Sequence, residues 1–351
     1  MAAIDLRKIK KIVCVTYCGR SGSYLLSNLL DGHSNLLSCP PHSLHYSPFK
    51  INNLLQTLSK NQKLSIENIT QEVANSHPFL FKNAEHHLML GEIYKNKSVG
   101  VDKNLFCRNL AKLLKDHSEK YNQINSRDIF IALHWAYSLC IQNGEIYKKT
   151  SVIWQQHIPL DNQQSKFLES NFPEMVFLTA IRRLENSLDS HLQHHFVEKP
   201  NATEDKMFVN ILNQFILSIS KNHTSIPQHA IKFEDIHLKT EMVGKKLCEL
   251  LEIPFESVLK STTLDNETFL FSKNGKTISG FNSSLNTEVK TSILTEIDVA
   301  FFQVLFNKHL TSYEYDVPVS KINSLIIENN IRTPFGSNIE HIMKSEPIEL
   351  L

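Results

Sequence analysis

Residues 18–24, Cys-Gly-Arg-Ser-Gly-Ser-Tyr, follow an apolar run and lead into leucines, and their types suit the capture of an anion. A turn that opens a helix presents unpaired backbone N–H groups and the positive end of the helix dipole. Gly22 lets the main chain approach a ligand closely, Ser21 and Ser23 add hydroxyl donors, and Arg20 adds a permanent charge with five donors. A Walker loop needs GxxxxGK[ST], which this stretch does not supply. The plainer account is a glycine turn with a surface arginine. A second turn has the same character. Arg182 ends an apolar run, and Ser190 lies eight residues later in a helical segment, so both side chains can converge on one phosphate. Arg183 is either a second ligand or a surface charge, and a solvated basic cap is the plainer reading of this turn alone.

The elements that must hold these turns follow from periodicity. Residues 12–17 form a β-branched and aromatic run, and Leu25, Leu26, Leu29 and Leu30 then recur at helical spacing. Residues 151–154, 175–181 and 229–236 read as further strands, each followed by a helical segment. Strands alternating with helices predict an α/β fold, a parallel sheet covered on both sides. Such sheets bind ligands beyond the carboxyl ends of their strands, where residues 18–24 and 182–190 fall. The stretch 45–145 is mostly helical and reads as an insertion that contributes a lid or a substrate-facing subdomain. Residues 1–330 read as a single domain, with 331–351 a loose C-terminal tail.

Composition bounds the partners. With 351 residues, 41% hydrophobic and 21% charged, the chain can bury a substantial core. Lys+Arg at 37 against Asp+Glu at 36 argues against bulk attraction to nucleic acid or anionic lipid. The six cysteines form no CxxC pair, which predicts a reduced, cytoplasmic chain. No apolar run approaches the roughly 18 residues of a membrane span, so no integral membrane segment is expected. The basic start "LRKIKK" imitates a signal peptide, but Arg20 stands where a small-residue cleavage site should be, and a buried first strand explains the run better.

The segment "GRSGSYLLSNLLDGH" resembles the 5′-phosphosulfate loop of sulfotransferases that use 3′-phosphoadenosine 5′-phosphosulfate (PAPS). It is most similar to the form typical of the carbohydrate and tyrosylprotein branches, and the likeness continues through Asp31-Gly32-His33. "FPEMVFLTAIRRLENSLDS" resembles the 3′-phosphate motif of the same family. The resemblance implies a three-layer α/β/α, P-loop-like fold. It implies that Arg20, Ser21, Gly22, Ser23 and Tyr24 hold the 5′-phosphosulfate, and that Arg182 and Ser190 hold the 3′-phosphate. Tyr24 stands where the family often has threonine, so a backbone contact is kept there and a hydroxyl contact is not. Leu184-Glu185 replace the usual proline. "LFSKNGKTISGFNSSL" resembles the family's C-terminal cofactor loop, with Lys273, Lys276 and Ser283 as phosphate contacts. "IKFEDIHLKTEMVGKKLCELLEIPFE" resembles a further strand and helix of the family, and its Glu234 and Asp235 read as structural.

The resemblance further implies sulfuryl transfer from PAPS to a hydroxyl or amine acceptor, with release of 3′,5′-ADP. That reaction needs an in-line acceptor, a group removing its proton, and positive charge on the leaving phosphate, where Arg20 can act. Histidine suits the proton-removing role, since its ordinary pKa is about 6.5. His157, in "WQQHIP", resembles the catalytic histidine segment of cytosolic sulfotransferases. His42, in "SCPPHSLH", stands where other branches place a catalytic glutamate. His157 ranks first and His42 second. His191, His194 and His195 share one helical face, which reads as a solvated polar face in preference to a metal site. The acceptors that the resemblance leaves open are a glycan, a peptide tyrosine and a small metabolite, and no motif decides among them. Two rival readings are a P-loop nucleotide kinase and a non-catalytic nucleotide-binding protein on the same fold.

Overall fold

The structure, a computed structural model, describes residues 4–16, 19–40, 44, 47–81, 100–141, 148–156, 160, 162–198, 205–221, 224–265, 267–268, 270–273, 276–283, 285, 287–317 and 345–351. The chain opens with β1 (Lys11–Thr16), α1 (Ser23–Leu30) and β2 (Leu36–Leu37). Four helices follow: α2 (Ser47–Lys60), α3 (Ile66–Ser76), α4 (Lys103–Tyr121) and α5 (Ser126–Cys140). Then come β3 (Ser151–Gln156), α6 (Asn162–Asn171), β4 (Met175–Ile181) and α7 (Leu184–Leu192), which continues as a π-helix over Gln193–Glu198. Next are α8 (Asp205–Ile219), β5 (Gln228–Lys232), α9 (Phe233–Leu238) and α10 (Thr240–Leu251). Two hairpins, β6 (Thr263–Leu264) with β7 (Glu267–Thr268) and β8 (Leu270–Lys273) with β9 (Lys276–Ser279), precede α11 (Glu296–Leu305), α12 (Asn307–Ser312) and β10 (Glu349–Leu350).

Six strands form one all-parallel sheet in the order β10-β5-β4-β1-β3-β2. Successive residues of a strand face opposite sides, and the central strands are apolar on both, as a doubly covered sheet requires. Ile12 and Cys14 join a core with Val152, Trp154, Met175, Phe177 and the buried residues of α2 to α5. Val13 and Val15 join the opposite core with Ile153, Val176, Leu178, α1 and α10. A third cluster gathers α7, α8, α11 and α12 around Ile181 and Ala230. The fold is therefore α/β with helices on both faces of a parallel sheet. The helical stretch between β2 and β3 builds one of these layers directly.

Two expectations need correction. The strand expected over 229–236 stops at Lys232, and residues 233–236 open α9. The end of the expected loose tail is built into the sheet: β10 pairs with β5, Leu351 N–H donates to Ala230 O at 2.9 Å, and Ile348 is buried.

Strand order locates the crevice. The chain leaves β1 through α1 towards β2 on one side, whereas β3 leads through α6 to β4 on the other. The helices of these two crossovers pack on opposite faces, α1 in one core and α6 in the other. Beside β1 the loops therefore part, leaving a cleft at the carboxyl ends of the strands. Thr16 is level with Gln156 of β3 and Thr179 of β4, so β1 and β3 end together there and β4 runs on two residues to Ile181.

Candidate functional site

The loop after β1 is shaped by its backbone. Arg20 has φ 57° and Gly22 φ 99°, and Gly22 is the N-cap residue of α1, so a left-handed turn delivers the chain into the helix N-terminus. A methyl group on Gly22 would lie 2.3 Å from Phe233 Cδ2, so the ring of Phe233 closes directly on the loop. On the other side a methyl group on Gly19 would lie 1.8 Å from His191 Nδ1, and Ser187 Oγ donates to Gly19 O at 2.5 Å. Ser187 and His191 are four apart in α7 and share a face, which is why one helix grips the loop twice. His191 is buried, and its ring lies 4.8 Å from that of His195, so the expected solvated histidine face is corrected at this residue.

α7 also brings the second turn. Ser190 accepts a hydrogen bond from Arg20 Nε at 3.4 Å. Arg182, at the end of β4, is half-buried. Burial, helped by the positive charge of Arg20, pushes its guanidinium below the ordinary arginine range, while Glu234, Tyr315 and Asp189 act in the opposite sense. Among the described residues no hydrogen bond reaches Arg182, and its guanidinium carbon sits 5.5 Å from the centre of the Phe233 ring. Two arginines from different loops thus lie within electrostatic reach of each other, without a carboxylate paired to either among the described residues. Charges so placed raise the local concentration of an anion.

Arg183 has a different fate. It lies 3.6 Å from the buried Glu185 carboxylate and donates to Asp316 O at 2.9 Å, so it braces the fold. Glu234 accepts from Arg183 N–H at 3.1 Å and from Tyr315 OH at 2.7 Å, fixing the turn after β4. Asp235 pairs with Lys239 at 3.0 Å.

Ser21 and Ser23 are buried and Tyr24 half-buried. Gln155 of β3 donates from Nε2 to Ser23 Oγ at 3.1 Å. At the far end of α1, His33 Nε2–H donates to Pro254 O at 2.8 Å and Nδ1 accepts from Asn35 N–H at 3.0 Å, so the Asp-Gly-His turn is structural.

The C-terminal segment returns to the same place. Lys273 and Lys276 are paired across the β8–β9 hairpin, and the chain then turns at Gly280, whose φ is 72°. Asn282 N–H donates to His237 Nδ1 at 3.0 Å, Phe281 lies 6.1 Å from the His237 ring, and Ser283 is exposed. His237 in turn lies 4.6 Å from Phe233, four residues earlier on α9. Burial first, and then the charge of Arg182, push His237 down to about 4. Asp189, beside Ser190, accepts from Ser292, Ile293 and Leu294 N–H at 2.7–2.9 Å, anchoring this segment to α7. Phe233, His237 and Gln155 belong to no phosphate-binding motif, and the signal in the sequence for the first two is their i, i+4 spacing at a strand-to-helix junction. His157 and His42 lie outside the described residues.

No family model and no curated protein matches the chain. Among solved structures, the chain is similar to the sulfotransferase domain from the curacin biosynthetic pathway, with a TM-score of 0.47 and 17% identity over 88% of this chain and 99% of that one. It is similar too to the sulfotransferase domain of a Synechococcus olefin synthase, with a TM-score of 0.47 and 15% identity over 88% and 96% of the two chains. Likenesses of this degree leave the reaction to be read from the site's own residues.

Proposed function

We propose that the chain is a sulfotransferase that moves the sulfuryl group of PAPS to a hydroxyl-bearing acceptor and releases 3′,5′-ADP. The observation that carries this reading is the meeting of the two cationic turns: Arg20 reaches Ser190, and its charge is felt at Arg182. A single ligand with two separated phosphates matches such a pair. The donor set fits the cofactor, since Arg182 has no hydrogen bond among the described residues and Phe233 offers an aromatic wall beside it. When bound, PAPS supplies an activated sulfuryl group whose departure leaves charge on the 5′-phosphate.

In this reading Arg20, the Ser21–Ser23 backbone N–H groups and the N-terminus of α1 stabilise the charge growing on that phosphate. Arg182 and Ser190 hold the 3′-phosphate and fix the nucleotide's direction. Tyr24 contributes a backbone contact, and Lys273, Lys276 and Ser283 belong to the segment that closes over the nucleotide. His157, or failing it His42, removes the acceptor proton. Phosphoryl transfer makes the same demands on positioning and charge.

Thermal melting with 3′,5′-ADP, 5′-AMP and ATP tests the nucleotide site. A ligand at a hundred times its dissociation constant stabilises by about 2.7 kcal/mol. Selective stabilisation by 3′,5′-ADP, lost in Arg182→Ala and in Arg20→Ala, is expected. Equal shifts with 5′-AMP would remove the case for a 3′-phosphate site, and a larger shift with magnesium-ATP would favour a kinase. Transfer of labelled sulfate from PAPS to phenolic and sugar hydroxyls tests turnover. Replacing His157 or His42 by alanine should abolish it in one case with 3′,5′-ADP binding intact.

A further inference from the structure

Behind the loop, between α1 and β3, lies a cavity of about 10 Å³ whose lining includes Ser27, Asn28, Asp31 and Gln155. Three polar atoms of these residues, Ser27 Oγ, Asn28 Oδ1 and Gln155 Oε1, are buried and accept or donate no hydrogen bond among the described residues. Leaving a buried polar group unpaired is costly, so three around one cavity call for a common partner. The volume suits one water molecule, which makes about three hydrogen bonds when buried. Two amide oxygens accept and one hydroxyl donates, which is the complement of a water giving two protons and taking one. Asp31 adds no competing demand, since its Oδ1 already accepts from Ser38 Oγ.

The same Gln155 side chain donates from Nε2 to Ser23 Oγ at 3.1 Å. An amide whose oxygen is fixed has its NH₂ fixed too. A serine oxygen that accepts from inside is left with its own proton to give elsewhere, and Ser23 stands at the first turn of α1, where the proposed function puts the 5′-phosphate. We infer that one bound water joins Ser27, Asn28 and Gln155, and that Gln155 thereby acts as a positioning residue, aiming the Ser23 hydroxyl proton at the nucleotide's 5′-phosphate. The inference rests on the nucleotide reading above.

The test is a double-mutant cycle read by calorimetric titration with 3′,5′-ADP, beside a high-resolution crystal structure of the full chain. Gln155→Met keeps the length of the side chain and removes both amide contacts, so affinity should fall about tenfold. Ser23→Ala should cost a similar factor. The double variant should lose scarcely more than either single one, because both remove the same directed hydroxyl. Multiplicative losses in the double variant, or an unchanged affinity in Gln155→Met, would overturn the relay. A water-sized density within about 2.7–3.2 Å of all three polar atoms supports it, and a dry cavity overturns it. Arg20→Ala separates the two levels. If it loses 3′,5′-ADP binding while Gln155→Met does not, only the relay fails, whereas a parent chain that does not bind 3′,5′-ADP removes the nucleotide reading beneath it.

Discussion

Gly22 carries two constraints at once, a φ of 99° and the ring of Phe233 pressed where a side chain would begin. Gly22→Ala should destabilise the chain by at least about 1–3 kcal/mol from backbone strain alone, measured by urea denaturation. The adjacent arginines of the second turn should separate cleanly. Arg183→Ala leaves the fully buried Glu185 without its cation, and a loss of about 3 kcal/mol in stability is expected with little change in affinity for 3′,5′-ADP. Arg182→Ala should do the reverse, because among the described residues the fold makes no hydrogen bond to that guanidinium. Equal stability losses in both variants would contradict this division. The motif likeness assigns Arg182 to the phosphate and leaves Arg183 open between a second ligand and a surface charge. The choice was made by Glu185 and the carbonyl of Asp316, the latter far along the chain.

At the scale of elements, α7 and β10 show opposite kinds of legibility. The α7 segment announces itself by its period and by the strand before it, and it lies where that pattern predicts. Its function as a clasp does not show in the pattern: one face holds Gly19 through Ser187, and Asp189 holds residues 292–294. β10 has only two residues, too short for any alternation to be read. It exists because β5 offers an open edge and because Ile348 finds a buried seat beside Tyr313, whose hydroxyl accepts from Ile348 N–H at 3.2 Å. Ile348→Ala should therefore cost about 2–4 kcal/mol, and removal of residues 345–351 should lower the melting temperature by more. A truncated chain that melts with the full-length protein would show the edge strand to be dispensable.

For the whole molecule, buried titratable groups set the dependence of stability on pH. Burial pushes His77 and His134 down to about 4, so both are neutral in the fold near neutral pH. The unfolded chain binds their protons from about 6.5 downward, so their contribution is present above that pH and is lost as pH falls through 6.5 towards 4. Asp265 runs the other way. Burial, and then the charge of Asp31, raise it to about 7, with Tyr137 OH donating to both its oxygens at 2.9 and 3.1 Å. Between about 4 and 7 the unfolded state has released this proton and the folded state has not, so this group lowers stability as pH rises through that window. Asp265→Asn keeps an acceptor for Tyr137. Its melting temperature should exceed the parent's by a margin that grows from pH 4 to 7 and is constant above. A margin independent of pH would mean that Asp265 is ionised throughout.

The sequence by itself determined the sheet, the alternation of its strands and the two cationic turns, because each depends on residues close together along the chain. Periodicity, glycine and charge act locally and can be read locally. Only the tertiary structure decided that the two turns meet, that Arg183 braces the fold while Arg182 takes no hydrogen bond among the described residues, and that Phe233 and Gln155 close on the loop. Those outcomes depend on contacts such as Arg20 to Ser190, 170 residues apart, which exist only once strand order has brought β1 beside β4.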